Sequence, residues 1–273
     1  MMQRILLVLI CLLLSLSSFS WNGNGHKLVA QIAYDNLTPA AKQRCNQYNQ
    51  ALNKFYPGGN FVTAATWLDQ IRQNDVHWFD MLHYKSIPFS KDGTPLPEVA
   101  EQNAFVGINN ALEILNSPKT SIVDKGLSLR ILVHIVGDIH QPLHTISQVT
   151  KEHPKGDMGG NLFFLGRNNI GSNLHQYWDN GGGVLIGQSR DLQIKNKARQ
   201  LEKKWSCTIA LKRSNPKQWI KQSHQLALTQ AYTLRPGTVP SKRYQLKTQN
   251  LAQKQIFVAG CRLAALLNAT AKY

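Results

Sequence analysis

In HIVGDIHQPLH, residues 134–144, a histidine and an aspartate stand four apart, ahead of a proline and another histidine. On a helix His134 and Asp138 project from one face about a turn apart, as two ligands of one ion would. Pro142 stops the helix and lets His144 turn back towards the same region. The run before it, SIVDKGLSLRILV, is strongly apolar, so the helix is expected to be buried, and a buried carboxylate needs a partner. A metal ion supplies one.

The same spacing recurs in LHQYWD, with His175 and Asp179. Other polar side chains interrupt apolar surroundings at Asp69 and Arg72 in TAATWLDQIRQ and at His83 in WFDMLHYKSIPF. Taken singly, Asp69 and Arg72 read as an intrahelical i, i+3 ion pair. No GxSxG or Walker pattern competes with a metal-centred chemistry.

The chain opens with MMQR, an apolar ILLVLICLLLSL and a small-residue SSFS, the order of a secretory signal peptide. The apolar run is too short to span a bilayer. Residues 1–20 are therefore expected to be removed near Ser20, leaving one domain over 21–273 that is secreted or periplasmic. Trp21 would then carry a free α-amino group. That amine and the Trp21 carbonyl can chelate a metal, and His26, beyond a flexible GNG, can close on the same ion.

Helical signals dominate the rest, giving a mostly α-helical expectation. HKLVAQIAYDNL carries a helical stripe, TPAAKQRCNQYNQAL starts with a Thr38 cap and Pro39, NPKQWIKQSHQLALTQAY starts with Asn215 and Pro216, and the last thirty residues read as one long helix. Short irregular or strand pieces are expected within 80–97 and 156–172, where Gly and Pro cluster.

Lysine and arginine total 31 against 15 acidic residues, and loss of Arg4 with the leader leaves 30 − 15 = +15. Such a charge favours polyanions. Cys45, Cys207 and Cys261 remain after cleavage, compatible with one disulfide and one free thiol, and the sequence does not choose the pair. Absence of CxxC argues against a sulfur-ligated zinc site.

The set WNGNGH, TWLDQIR, LHY, HIVGDIHQPLH, DMGGN and LHQYWDN, in this order, resembles the S1/P1 nuclease family of zinc-dependent secreted nucleases. The likeness runs from Trp21 to about Asn180, and AGCRLAALLN is similar to the family's final helix more loosely. It implies a mostly helical domain of the phospholipase C / P1 nuclease type with a trinuclear zinc cleft. Position by position, one zinc ion would be held by Asp69, His83, His134 and Asp138, a second by His144, His175 and Asp179, and a third by Trp21, His26 and a bridging Asp138. Asp69 would orient the attacking water, Arg72 would stabilise phosphoryl charge, Tyr84 would stack a base and Asn180 would hydrogen-bond it. The implied reaction is endonucleolytic hydrolysis of single-stranded DNA and RNA to 5′-phosphorylated products, with 3′-nucleotidase activity. A monomer without stable membrane association is expected. A zinc phospholipase C resembles the sequence less, through a longer first gap and a glutamate at the last ligand. A non-enzymatic polyanion binder is the rival outside the enzymes.

Overall fold

Helix α5 (Ile122–Asp138) is the axis of the fold in the computed structural model, which describes residues 21–187, 190–208 and 215–270. The expected leader, residues 1–20, lies outside the described residues. Ser121 caps α5 by accepting from the Asp124 amide, and every residue from Ser128 to Asp138 is buried, as expected for a helix apolar all round. Helices α2 (Pro39–Asn53) and α4 (Ala104–Asn116) flank it, and Thr38 and Asn103 cap them. Gly126 gives α5 its close approach to α2, because a Cβ there would lie 2.4 Å from the Tyr48 carbonyl oxygen.

On another side α1 (Gly23–Asp35) packs along the long α9 (Lys242–Ala269) and against α7 (Asp191–Lys204). The GNG read as flexible is in fact the first turn of α1, capped by the Asn22 side chain at 3.3 Å from the Gly25 amide. Short α3 (Trp67–Gln73) follows a 3-10 turn, α6 (Leu174–Asp179) carries the second His/Asp pair, and α8 (Pro216–Leu226) runs into a π-helical turn, Ala227–Ala231. Cys207 and Cys261 form a disulfide between the segment after α7 and α9, and Cys45 is a buried free thiol.

Two short strands, β1 (Ile87–Ser90) and β2 (Ile146–Val149), pair in parallel with Ile87 opposite Ile146. The first falls in the range 80–97, where irregular or strand pieces were expected; the second lies before 156–172. Residues 156–172 contribute only the isolated Phe164–Asn173 bridge. Positive φ at Gly156, Met158, Gly159 and Gly160 explains this, because such backbone turns instead of extending.

At Gly260 in α9 a Cβ would sit 2.6 Å from Ile32 Cβ and 3.0 Å from the Val29 carbonyl oxygen of α1. Gly260→Ala gains about 1 kcal/mol of helix propensity but forces the helices apart, so a net loss of roughly 1–2 kcal/mol is expected. Urea denaturation of the two proteins checks the sign.

Candidate metal centre

Three groups of side chains converge at the C-terminal end of α5. Ligand-type atoms within 4.8 Å of one another come from His26, Asp69 and His134; from His83, His134 and Asp138; and from His144, His175 and Asp179, all of them buried. The first two groups share His134, and Asp138 Oδ1 lies 3.3 Å from His26 Nε2 while its Oδ2 lies 3.1 Å from His83 Nδ1. The structure thus gathers every expected side-chain ligand, from α1, α3, α5, α6 and two 3-10 turns. Trp21 is fully buried, and the next residue's amide, on Asn22, donates to the Asp179 carbonyl at 3.1 Å, so the expected N-terminal chelate lies beside α6.

Main-chain carbonyls set the histidine tautomers. His134 Nδ1 is 2.7 Å from Ala65 O, His144 Nδ1 is 2.7 Å from His83 O, and His175 Nδ1 is 2.7 Å from Gly159 O. A carbonyl only accepts, so each Nδ1 carries a hydrogen and each ring turns its Nε2 inward. His144 Nε2 and His175 Nε2 face each other at 3.2 Å, and His134 Nε2 faces His83 Nδ1 at 3.1 Å. Between His144 and His175, whose Nδ1 hydrogens are both taken by carbonyls, two lone pairs face each other and repel unless a cation sits on them. With a carboxylate alongside, this donor set fits a divalent metal that accepts imidazole and carboxylate, as zinc does.

Electrostatics separate the rings. Burial lowers the His26 pKa to about 3 and also lowers that of His144, keeping both rings neutral. Burial alone would lower His134 too, but Asp138 and Asp69 more than offset it and raise its pKa to about 9. Burial likewise opposes ionisation of Asp69 and Asp138, and the surrounding imidazoles overcome it and hold both carboxyls down. Asp179 is pushed well up by burial, against a hydrogen bond from Gln141. Each buried carboxylate therefore depends on positive charge placed at this cluster.

A cleft of about 300 Å³ opens onto the His144–His175 side, lined by Arg72 and Tyr84 among others. Arg72 Nε is 3.2 Å from Asp80 Oδ1, so the pair expected with Asp69 gives way to one with Asp80, which follows at the start of the turn leading to His83. Tyr84 is half-buried, with its hydroxyl 3.1 Å from Met81 Sδ. Asn180 is not among the cleft-lining residues: its amide donates to Ile170 O at 2.7 Å and accepts from Asn22 at 2.9 Å, tying α6 to the N-terminal segment.

Sequence reasoning missed Gln141. This fully buried side chain donates to Asp179 Oδ1 at 2.6 Å and accepts from the Leu143 amide at 2.6 Å, which links the end of α5 to α6. Its place between two ligand-type residues in an apolar run was the available signal. His140, in the same motif, points away: Nδ1 bonds Val136 O and Nε2 accepts from Arg262 Nη1 at 2.8 Å. His77 pairs with the exposed side of Asp80, and His224 contacts Thr145 O.

Mostly helical architecture and a buried histidine–aspartate cluster that could hold metal ions beside a cleft fit a metal-dependent hydrolase. The sequence model of the family described as S1/P1 Nuclease matches residues 21–272, and the chain belongs to that family. It is 28% identical to Endonuclease 1 of Arabidopsis thaliana over 97% of this chain and 92% of that protein. Endonuclease 5 of the same plant is 26% identical over 91% and 89%, and Nuclease S1 of Aspergillus oryzae is 26% identical over 92% of each. The chain is therefore a nuclease acting on nucleic acid through a metal-dependent site. Among the described residues no helix is long and apolar enough to cross a membrane.

Removing the Gln141 amide frees Asp179 to rotate. Gln141→Leu should weaken metal retention about 10–100-fold, as loss of a ligand's hydrogen-bond partner typically does. Competition with a chromogenic chelator, followed as stoichiometry and release, measures it.

Proposed function

We propose that this chain is a zinc-dependent endonuclease that hydrolyses phosphodiester bonds of single-stranded DNA and RNA to 5′-phosphorylated products. It also removes terminal phosphate from 3′-nucleotides, and it works after export and cleavage near Ser20. The observation that carries the reading is the set of inward-facing imidazole Nε2 atoms, fixed by the carbonyls of Ala65, His83 and Gly159.

In this reading Asp69, His83, His134 and Asp138 hold one zinc ion, His144, His175 and Asp179 a second, and the Trp21 amine and carbonyl with His26 and Asp138 a third. When bound, the ions supply Lewis acidity and a water acidified towards neutral pH. The chain's own groups do the rest. Asp69, buried and held ionised by its histidine neighbours, accepts a hydrogen bond from the attacking water and fixes its direction. Arg72, on the cleft wall and steadied by Asp80, presents planar donors to phosphoryl oxygens. Tyr84, on the same wall, offers a ring face to an unpaired base, which favours single strands over a closed duplex. Asn180 adds a base hydrogen bond if its amide exchanges the Ile170 or Asn22 contact for the base.

The test uses exported protein with its N-terminus sequenced, single-stranded DNA and RNA as substrates, and detection of 5′-mononucleotides. Chelation should abolish cleavage and zinc should restore it. Asp69→Asn should lower turnover about 10²–10³-fold while retaining most metal. One extra residue ahead of Trp21 should remove the third ion and the activity. Cleavage indifferent to chelation would overturn the reading; phosphocholine release from lecithin at a matching rate would favour the phospholipase alternative.

A further inference from the structure

The geometry points to Lys155 as the residue that grips the phosphate next to the one being cut, so that the cleft prefers polynucleotides to mononucleotides. This inference rests on the single-strand nuclease reading above. Three side chains with a permanent charge line the cleft: Arg72, Glu98 and Lys155. Arg72 is held by Asp80 at 3.2 Å, whereas Lys155 has neither an ion-pair partner nor a hydrogen bond among the described residues and is exposed. A volume of about 300 Å³ is at the lower end for small-molecule sites and suits one nucleotide, so the phosphate of the next nucleotide lies at the rim.

The loop that carries Lys155 is fixed although the side chain is free. The Gly156 amide donates to His153 O at 2.9 Å and the Asp157 amide to Gln148 O at 2.9 Å. The buried Asp157 carboxylate accepts from Tyr232 Oη at 2.8 Å and from the Gln148 amide at 2.9 Å. Gly156 has φ +95°, and a Cβ there would lie 2.2 Å from Ser147 Oγ, so the loop must press onto β2 at this point. Four residues after Lys155, the Gly159 carbonyl holds His175. An anchored backbone thus places a mobile ammonium on the His175 side of the cleft, and a flexible point charge suits a phosphate that varies in position from one sequence to another.

Metal-loaded wild-type protein, Lys155→Gln and Lys155→Arg would be titrated with a fluorescent phosphorothioate dT10, which resists hydrolysis, across a range of salt. Thymidine 5′-monophosphate would be the control ligand. Lys155→Gln should weaken dT10 about fivefold and flatten the plot of log K against log salt by about 0.7, the signature of one single-strand phosphate contact. Lys155→Arg should restore both, and mononucleotide affinity should be unchanged in all three proteins. An unchanged slope in Lys155→Gln overturns the assignment, as does an equal loss for dT10 and the mononucleotide, which would move Lys155 to the reacting phosphate. If wild type itself binds dT10 no better than the mononucleotide, the single-strand reading fails and this inference falls with it.

Discussion

Everything at the centre depends on three main-chain carbonyls that each take an N–H from a histidine. Ala65, His83 and Gly159 belong to different parts of the chain, yet each fixes the ring of His134, His144 or His175 with its Nε2 turned inward. In water an imidazole exchanges tautomers freely. Here the exchange would leave a buried carbonyl without a donor, which costs about 1–3 kcal/mol. The fold thereby gathers inward-facing imidazole nitrogens in one place, and secondary structure, packing and loop shape serve to hold them.

The packing serves that purpose in a specific way. Helix α5 delivers His134 and Asp138 from a stretch with no exposed residue, so neither side chain can turn to solvent. Arg130, one turn earlier, is also buried, and it is satisfied by Asn49, Asn53 and the Tyr56 carbonyl while lying 5.2 Å over the Trp67 ring. Trp67 begins α3, the helix that carries Asp69. An uncharged set of acceptors around Arg130 keeps a bare carboxylate away from the core, so the acidic groups there belong to the metal centre and its immediate supports.

Much of this was legible because metal ligation imposes short spacings. His134 with Asp138, and His175 with Asp179, are separated by one helical turn, and a spacing of that kind survives in a one-dimensional string. Gln141 was not legible in the same way, since its partner Asp179 is 38 residues away and only the tertiary fold brings them together. Arg72 shows the same limit: the nearby Asp69 suggested a local pair, and the loop after α3 supplied Asp80 instead. The glycine-rich chain around 156–160 is irregular, one of the two forms its composition allowed, while β2 was not singled out because four residues are too few for a period to show. Helices α4 and α7 were not singled out at all; in α7 seven charged residues among fourteen mask the apolar stripe of Ile194, Ala198 and Leu201. The cysteine pair needed three dimensions outright.

Asn22 lies against residues far along the chain: its amide meets Asp179, and its side chain meets Asn180 and Leu185, 158 and 163 residues away. Contacts of such long sequence separation carry a large loop-closure entropy, which the rest of the packing must offset. A half-synthesised chain can build α1, α2 and α5 and still have no complete cluster. The centre is therefore closed by the contact between Asn22 and Asn180, and hydrolytic competence requires that both ends of a 158-residue span have met.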